Sequence, residues 1–208
     1  MSFITIPKDL FSKSLKITIQ NPYNVGLKIF HCGILFLAAA PLISFVLLFF
    51  SSIIGGLNRP HNFFKDKLNF PFIAVAILMI LNCLLITFFK KDLNSFEITK
   101  IWIGLSNWIP FFWCFWGFQP FLESRQLRIK SAKLFIIGSL PVLISGFSQY
   151  FLKIYGPFNF FNNLIIWYQR PLDSNHAVTG LFNNQNYAGA WLCIIFPLCL
   201  VFLGKRNN

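Results

Sequence analysis

The sequence predicts an all-α membrane protein, a polytopic transmembrane helix bundle of about five spans. Three observations predict it: 56% of the 208 residues are hydrophobic and 12% charged, long stretches carry no charge, and the cations gather in the connections between those stretches. Soluble domains have about 25% charged residues. Mean hydropathy is +0.62, and 28 Phe, 6 Trp and 5 Tyr leave too little polar surface to coat a globule in water. Intrinsic disorder is excluded on the same ground, since unfolded segments are poor in apolar residues.

Four windows free of Lys, Arg, Asp and Glu have spanning length: Ile29–Asn58 with 30 residues, Leu68–Phe89 and Ile101–Leu122 with 22 each, and Leu134–Leu152 with 19. A hydrocarbon core of about 30 Å takes roughly 20 residues at about 1.5 Å each. A fifth window, Tyr187–Gly204, has 18. Their apolar runs are continuous rather than alternating, so they read as helices and not as barrel strands. The chain therefore divides into a basic interfacial segment (1–28), four transmembrane helices (29–152), an interfacial loop with a polar motif (153–186), and a last helix with a short basic tail (187–208).

Within 1–28, four Lys and one Asp among scattered apolar residues suit a segment lying on anionic headgroups. Ala38, Ala39 and Ala40 after an apolar run imitate a signal-peptidase site. The long preceding segment, Pro41 and the continuation to Ile54 argue against cleavage, so the first span is expected to be retained.

A net charge of +12 would suggest nucleic acid in a soluble protein; here the cations bound the spans and read as topological anchors, with membrane lipids as partners and no nucleic acid. Counted along alternate connections, Lys and Arg number nine on each side. Density favours an extracytoplasmic Lys153–Asn186, which holds Lys153 and Arg170 in 34 residues, whereas Glu123–Lys133 holds four in eleven.

Cys32, Cys83, Cys114, Cys193 and Cys199 all lie in apolar windows, and His31, His61 and His176 are far apart. No metal site, disulfide or cofactor is expected. Nucleotide-binding and nucleophile-elbow motifs are absent. In the four upstream windows His31 is the one candidate for proton chemistry, so nothing resembles a relay. Asn82, Asn107, Gln119 and Gln149 are read as amides that bond a neighbouring helix. Pro41, Pro110, Pro120, Pro141 and Pro197 kink their helices or mark ends.

After the fourth window, Tyr155, Phe158, Phe160, Phe161, Trp167 and Tyr168 form an interfacial aromatic cluster. Polarity then arrives abruptly: Arg170, Asp173 and His176 are followed by Asn183, Asn184, Gln185 and Asn186 at the entrance of the last helix. These amides have two readings, capping of the helix N-terminus and presentation of donors and acceptors to a sugar or phosphate.

The stretch GLFNNQNYA, Gly180–Ala188, resembles the motif that opens a transmembrane helix in the O-antigen ligase and membrane polymerase family, with Gly180, Phe182, Asn184, Asn186, Tyr187 and Ala188 at the matching positions. Gly146 and Gln149, ending the preceding span, are similar to the family's context there. The resemblance covers about 45 residues, Gly146–Ala190, and is nearest to cyanobacterial-type members. It implies half of an O-antigen ligase fold in a bacterial inner (plasma) membrane, and glycan transfer from an undecaprenyl-diphosphate carrier, part of polysaccharide biosynthesis.

By the same resemblance Arg170 and His176 would be catalytic, and Gly180, Asn184 and Asn186 would shape the substrate site. Two departures stand out. Ala177, Val178 and Thr179 occupy the place where many relatives carry Arg, and the family is about twice as long. The expectation is an N-terminal half, inactive alone and completed by a second chain. A small transporter or channel component, or a non-catalytic membrane protein, is the alternative.

Overall fold

The computed structural model describes residues 22–59, 63–89, 94–172 and 177–204. It is mostly helical: α1 (Pro22–Phe36), α2 (Pro41–Leu57), two 3-10 turns at Phe63–Lys65 and Lys67–Asn69, α3 (Phe70–Phe89), α4 (Ser95–Phe118), a 3-10 turn at Gln119–Leu122, α5 (Arg125–Gly138), α6 (Leu140–Phe151), a small antiparallel hairpin of β1 (Phe158–Phe160) and β2 (Ile165–Trp167), and α7 (Gln185–Gly204). Three helical stretches are long and apolar enough to cross a membrane: Lys67–Phe89, Arg125–Phe151 and Gln185–Gly204, of 23, 27 and 20 residues.

The first charge-free window is not one helix. It turns at Leu37–Ala40, and Pro41 restarts the chain as the first residue of α2, where its missing N–H and fixed φ suit a helix start. The two arms pack closely: Ser44 Oγ donates to the Gly33 carbonyl at 2.7 Å, and a Cβ on Gly33 would lie 2.7 Å from Leu48 Cγ. Part of the segment expected at the interface, from Pro22 to Lys28, is the first half of α1; residues 1–21 lie outside the described residues.

The α2–α4 crossing is closer still. A Cβ on Gly55 would collide with the Gly117 carbonyl oxygen, and one on Gly117 with the Ser52 backbone. Small residues let helix backbones approach where lipid offers no hydrophobic drive. Tyr23, Phe30, Phe118 and Phe121 fill the neighbouring space, with ring centroids 5.0–5.5 Å apart. By contrast α3 buries only Cys83; its remaining faces require an apolar solvent.

Helix ends follow from local chemistry. Asn94 and Glu97 form a reciprocal capping box on α4, with Glu97 N to Asn94 Oδ1 at 2.9 Å and Asn94 N to Glu97 Oε2 at 3.2 Å. Ser124 Oγ accepts the Leu127 N–H at the start of α5. The α5–α6 junction at Ser139 precedes Pro141, which cannot donate into the helix ladder.

Candidate functional site

The loop that follows α6 is held against it by a knot of uncharged polar side chains. Ser145, Ser148 and Gln149 share one face of α6, three and four residues apart. Gln149 is completely buried. Its Oε1 accepts the N–H groups of Thr179 and Gly180, each at 3.0 Å. Its Nε2 donates to the Arg170 carbonyl and to Thr179 Oγ1 at 3.2 Å, and that hydroxyl oxygen also accepts the Arg170 N–H at 3.1 Å. One amide thus ties both strands of the loop to the end of a membrane helix.

Gln169 completes the knot. It is buried with φ +34°; Ser145 Oγ donates to its Oε1 at 2.6 Å, while its Nε2 donates to Ser148 Oγ and the Ile154 carbonyl, both at 2.8 Å. Every side-chain amide atom of both glutamines is bonded, the condition under which a buried polar network rigidifies. Two tryptophans brace the surroundings: Trp167 Nε1 donates to the Ala39 carbonyl at 2.8 Å and Trp191 Nε1 to Ser139 Oγ at 2.9 Å.

Of the residues singled out in the sequence, Arg170 has its backbone inside this knot and its side chain exposed. His176 and Asp173 lie outside the described residues. Gly180 is buried at φ +55°, and a Cβ there would meet the Val142 carbonyl at 3.3 Å, so the turn requires glycine. Asn184 caps α7: its Oδ1 accepts the Asn186 N–H at 2.8 Å. Asn186 is exposed on the first turn. The expected helix partner for Gln149 is replaced by the loop itself, so Gly146–Gln149 and the start of Gly180–Ala188, the two segments of the resemblance, meet in space.

Capping and ligand display predict different losses. Asn184→Ala is expected to cost about 1 kcal/mol of stability, and Asn186→Ala close to nothing. Thermal unfolding of the two variants in detergent measures the difference; equal losses would contradict the capping geometry.

Beside the knot, α6, α7 and residues of the 177–180 segment line an open apolar cleft of about 640 Å³, among them Gly146, Tyr150, Val178, Gly189 and Leu192. It has the size of a small-molecule site and the lining of an alkyl-chain site. Thr179, Gln169, Ser145 and Ser148 were not singled out in the sequence, although Ser-x-x-Ser-Gln inside an apolar window is a legible polar face. Among the described residues no three His, Cys, Asp or Glu side chains come together as a metal site. Searches against protein-family models, characterised proteins and solved structures return no match.

Proposed function

We propose that the chain is a membrane-integral component of lipid-linked glycan transfer, resembling the N-terminal half of an O-antigen ligase or polymerase with about five spans. One observation carries the reading: Gln149 and Thr179 bind the Arg170 backbone and the Gly180 turn into a single rigid unit next to the amide-rich entrance of α7. The apolar cleft supports it, because a polyprenyl chain lodged between α6 and α7 would leave its diphosphate near the loop.

In this reading the acceptor hydroxyl attacks the anomeric carbon, the bond from that carbon to the diphosphate oxygen breaks, and the diphosphate leaves with the electron pair. Arg170 holds the diphosphate by charge-assisted hydrogen bonds. His176 takes the acceptor proton or donates a hydrogen bond. Asn184 keeps only its amide NH₂ for substrate, since its Oδ1 is spent on the cap, and Asn186 offers both ends of its amide.

A diphosphate leaving group takes several clamping arginines in the family resembled, and the loop 153–186 holds Arg170 as its single arginine. Residues 1–208 expressed in a ligase-deficient host are therefore expected to transfer no glycan. Co-expression with a polypeptide encoded next to the gene and carrying further spans is expected to restore transfer, and Arg170→Ala to abolish it while insertion persists. Transfer by residues 1–208 alone would overturn the need for a second chain. No product in any combination would overturn the glycan reading and favour a transporter component or a non-catalytic membrane protein.

A further inference from the structure

The even split of cations in the sequence depends on counting Ile29–Asn58 as one crossing. That window reverses direction at Leu37–Ala40, so every later connection changes side. The parity is the same whether the α1–α2 hairpin crosses fully or re-enters part of the way, because both arms begin and end at one level.

Contacts fix the two ends of the bundle. Tyr23, at the start of α1, donates its hydroxyl to the Pro120 carbonyl after α4 at 3.1 Å. Arg59, after α2, lies 5.8 Å over the Trp116 ring near the end of α4, and Lys133 on α5 lies 5.8 Å over Phe202 near the end of α7. The start of α1 and the ends of α2 and α4 thus lie together, and α5, which follows α4, shares that end with the end of α7. At the other, Trp167 reaches the α1–α2 turn at Ala39, and the end of α3 meets the start of α4 through Trp102 Nε1 and Thr87 Oγ1 at 3.2 Å.

Sorted by these ends, eight Lys and Arg among the described residues belong to the first (Lys28, Arg59, Lys65, Lys67 and the four between Arg125 and Lys133) and three, Lys100, Lys153 and Arg170, to the second. Arg125–Phe151 has 27 residues, about 40 Å of helix against a core of about 30 Å. Its first turns, with Arg125 and Lys130, therefore stand among headgroups. Positive charge is retained on the cytoplasmic side and is attracted to the anionic lipids of that leaflet.

We infer that the end bearing the start of α1, the α2–α3 connection and the start of α5 is the cytoplasmic face, seated on anionic phospholipid headgroups, and that the Gln149 knot opens on the opposite, extracytoplasmic side. The inference does not use the ligase reading and is tested without any glycan. A fluorescent protein that matures only in the cytoplasm, fused after Asn208 of the full chain, is expected to fluoresce. Asn159→Cys, on the exposed face of β1, is expected to react with an impermeant maleimide in intact cells, and Lys65→Cys only after permeabilisation. The reversed pattern, or both cysteines reacting from one side, would overturn the topology. For the lipid, the purified full chain in nanodiscs containing phosphatidylglycerol is expected to melt several degrees above the chain in phosphatidylcholine alone. Combined Lys65→Gln, Lys67→Gln, Arg125→Gln and Lys130→Gln should erase that difference while melting unchanged in phosphatidylcholine. Equal melting of the unaltered chain in the two lipids would overturn the headgroup contact.

Discussion

Gln149→Ala is expected to destabilise the loop by about 4 kcal/mol. The substitution strips acceptors from the Thr179 and Gly180 N–H groups and removes the donor to the Arg170 carbonyl. Leaving a buried donor or acceptor unsatisfied costs about 1–3 kcal/mol each. The expected signature is local: proteolysis should cut within the loop between Leu152 and Asn184 far faster than in the parent, with α1–α4 still protected. Thr179→Val, which removes one hydroxyl and keeps the backbone bonds to Gln149, should cost about half as much. Equal protection of the Gln149→Ala loop would show that the amide is not what holds it.

The second large effect is steric. Gly117→Ala places a methyl against the backbone of Ser52 at the α2–α4 crossing, where no side-chain rotation relieves the overlap. The helices must separate, losing the contacts around Cys114, Trp116 and Phe121, all buried. Overpacking of this kind costs about 1–3 kcal/mol and sometimes more, and the backbone location puts Gly117→Ala at about 3 kcal/mol. Gly104→Ala on the same helix meets nothing within 4 Å and serves as the control. Comparable melting of the two variants would show that the crossing is loose.

What was legible in the sequence follows from what a charge-free window can report. It finds apolar length, and so locates α3, most of α4, and α7 well. It cannot report where a uniformly apolar run turns, because the break at Leu37–Ala40 involves no charge and little change in hydropathy. Pro41 was the available signal, since proline favours the first residue of a helix. The same blindness produced the cation tie, which dissolves once the hairpin is seen. The aromatic cluster was legible as a cluster; that Phe160 and Trp167 face each other across two short strands, centroids 5.2 Å apart, was not, because three-residue strands carry too little alternation to register. Gln149 stood out as an amide in an apolar window, yet its partners lie 21 to 31 residues away in a loop whose path no local pattern specifies.

The bond from Trp167 Nε1 to the Ala39 carbonyl also sets an order of events during synthesis. Its two ends are 128 residues apart, so at about 5–20 residues per second the ribosome needs roughly 6 to 26 seconds to supply the second after the first. For that interval the α1–α2 hairpin stands in the nascent chain with its turn uncovered. The turn thus gains its indole partner only after the loop has been made, and the α1–α2 hairpin must hold together until then by its own contacts, such as the bond from Ser44 Oγ to the Gly33 carbonyl.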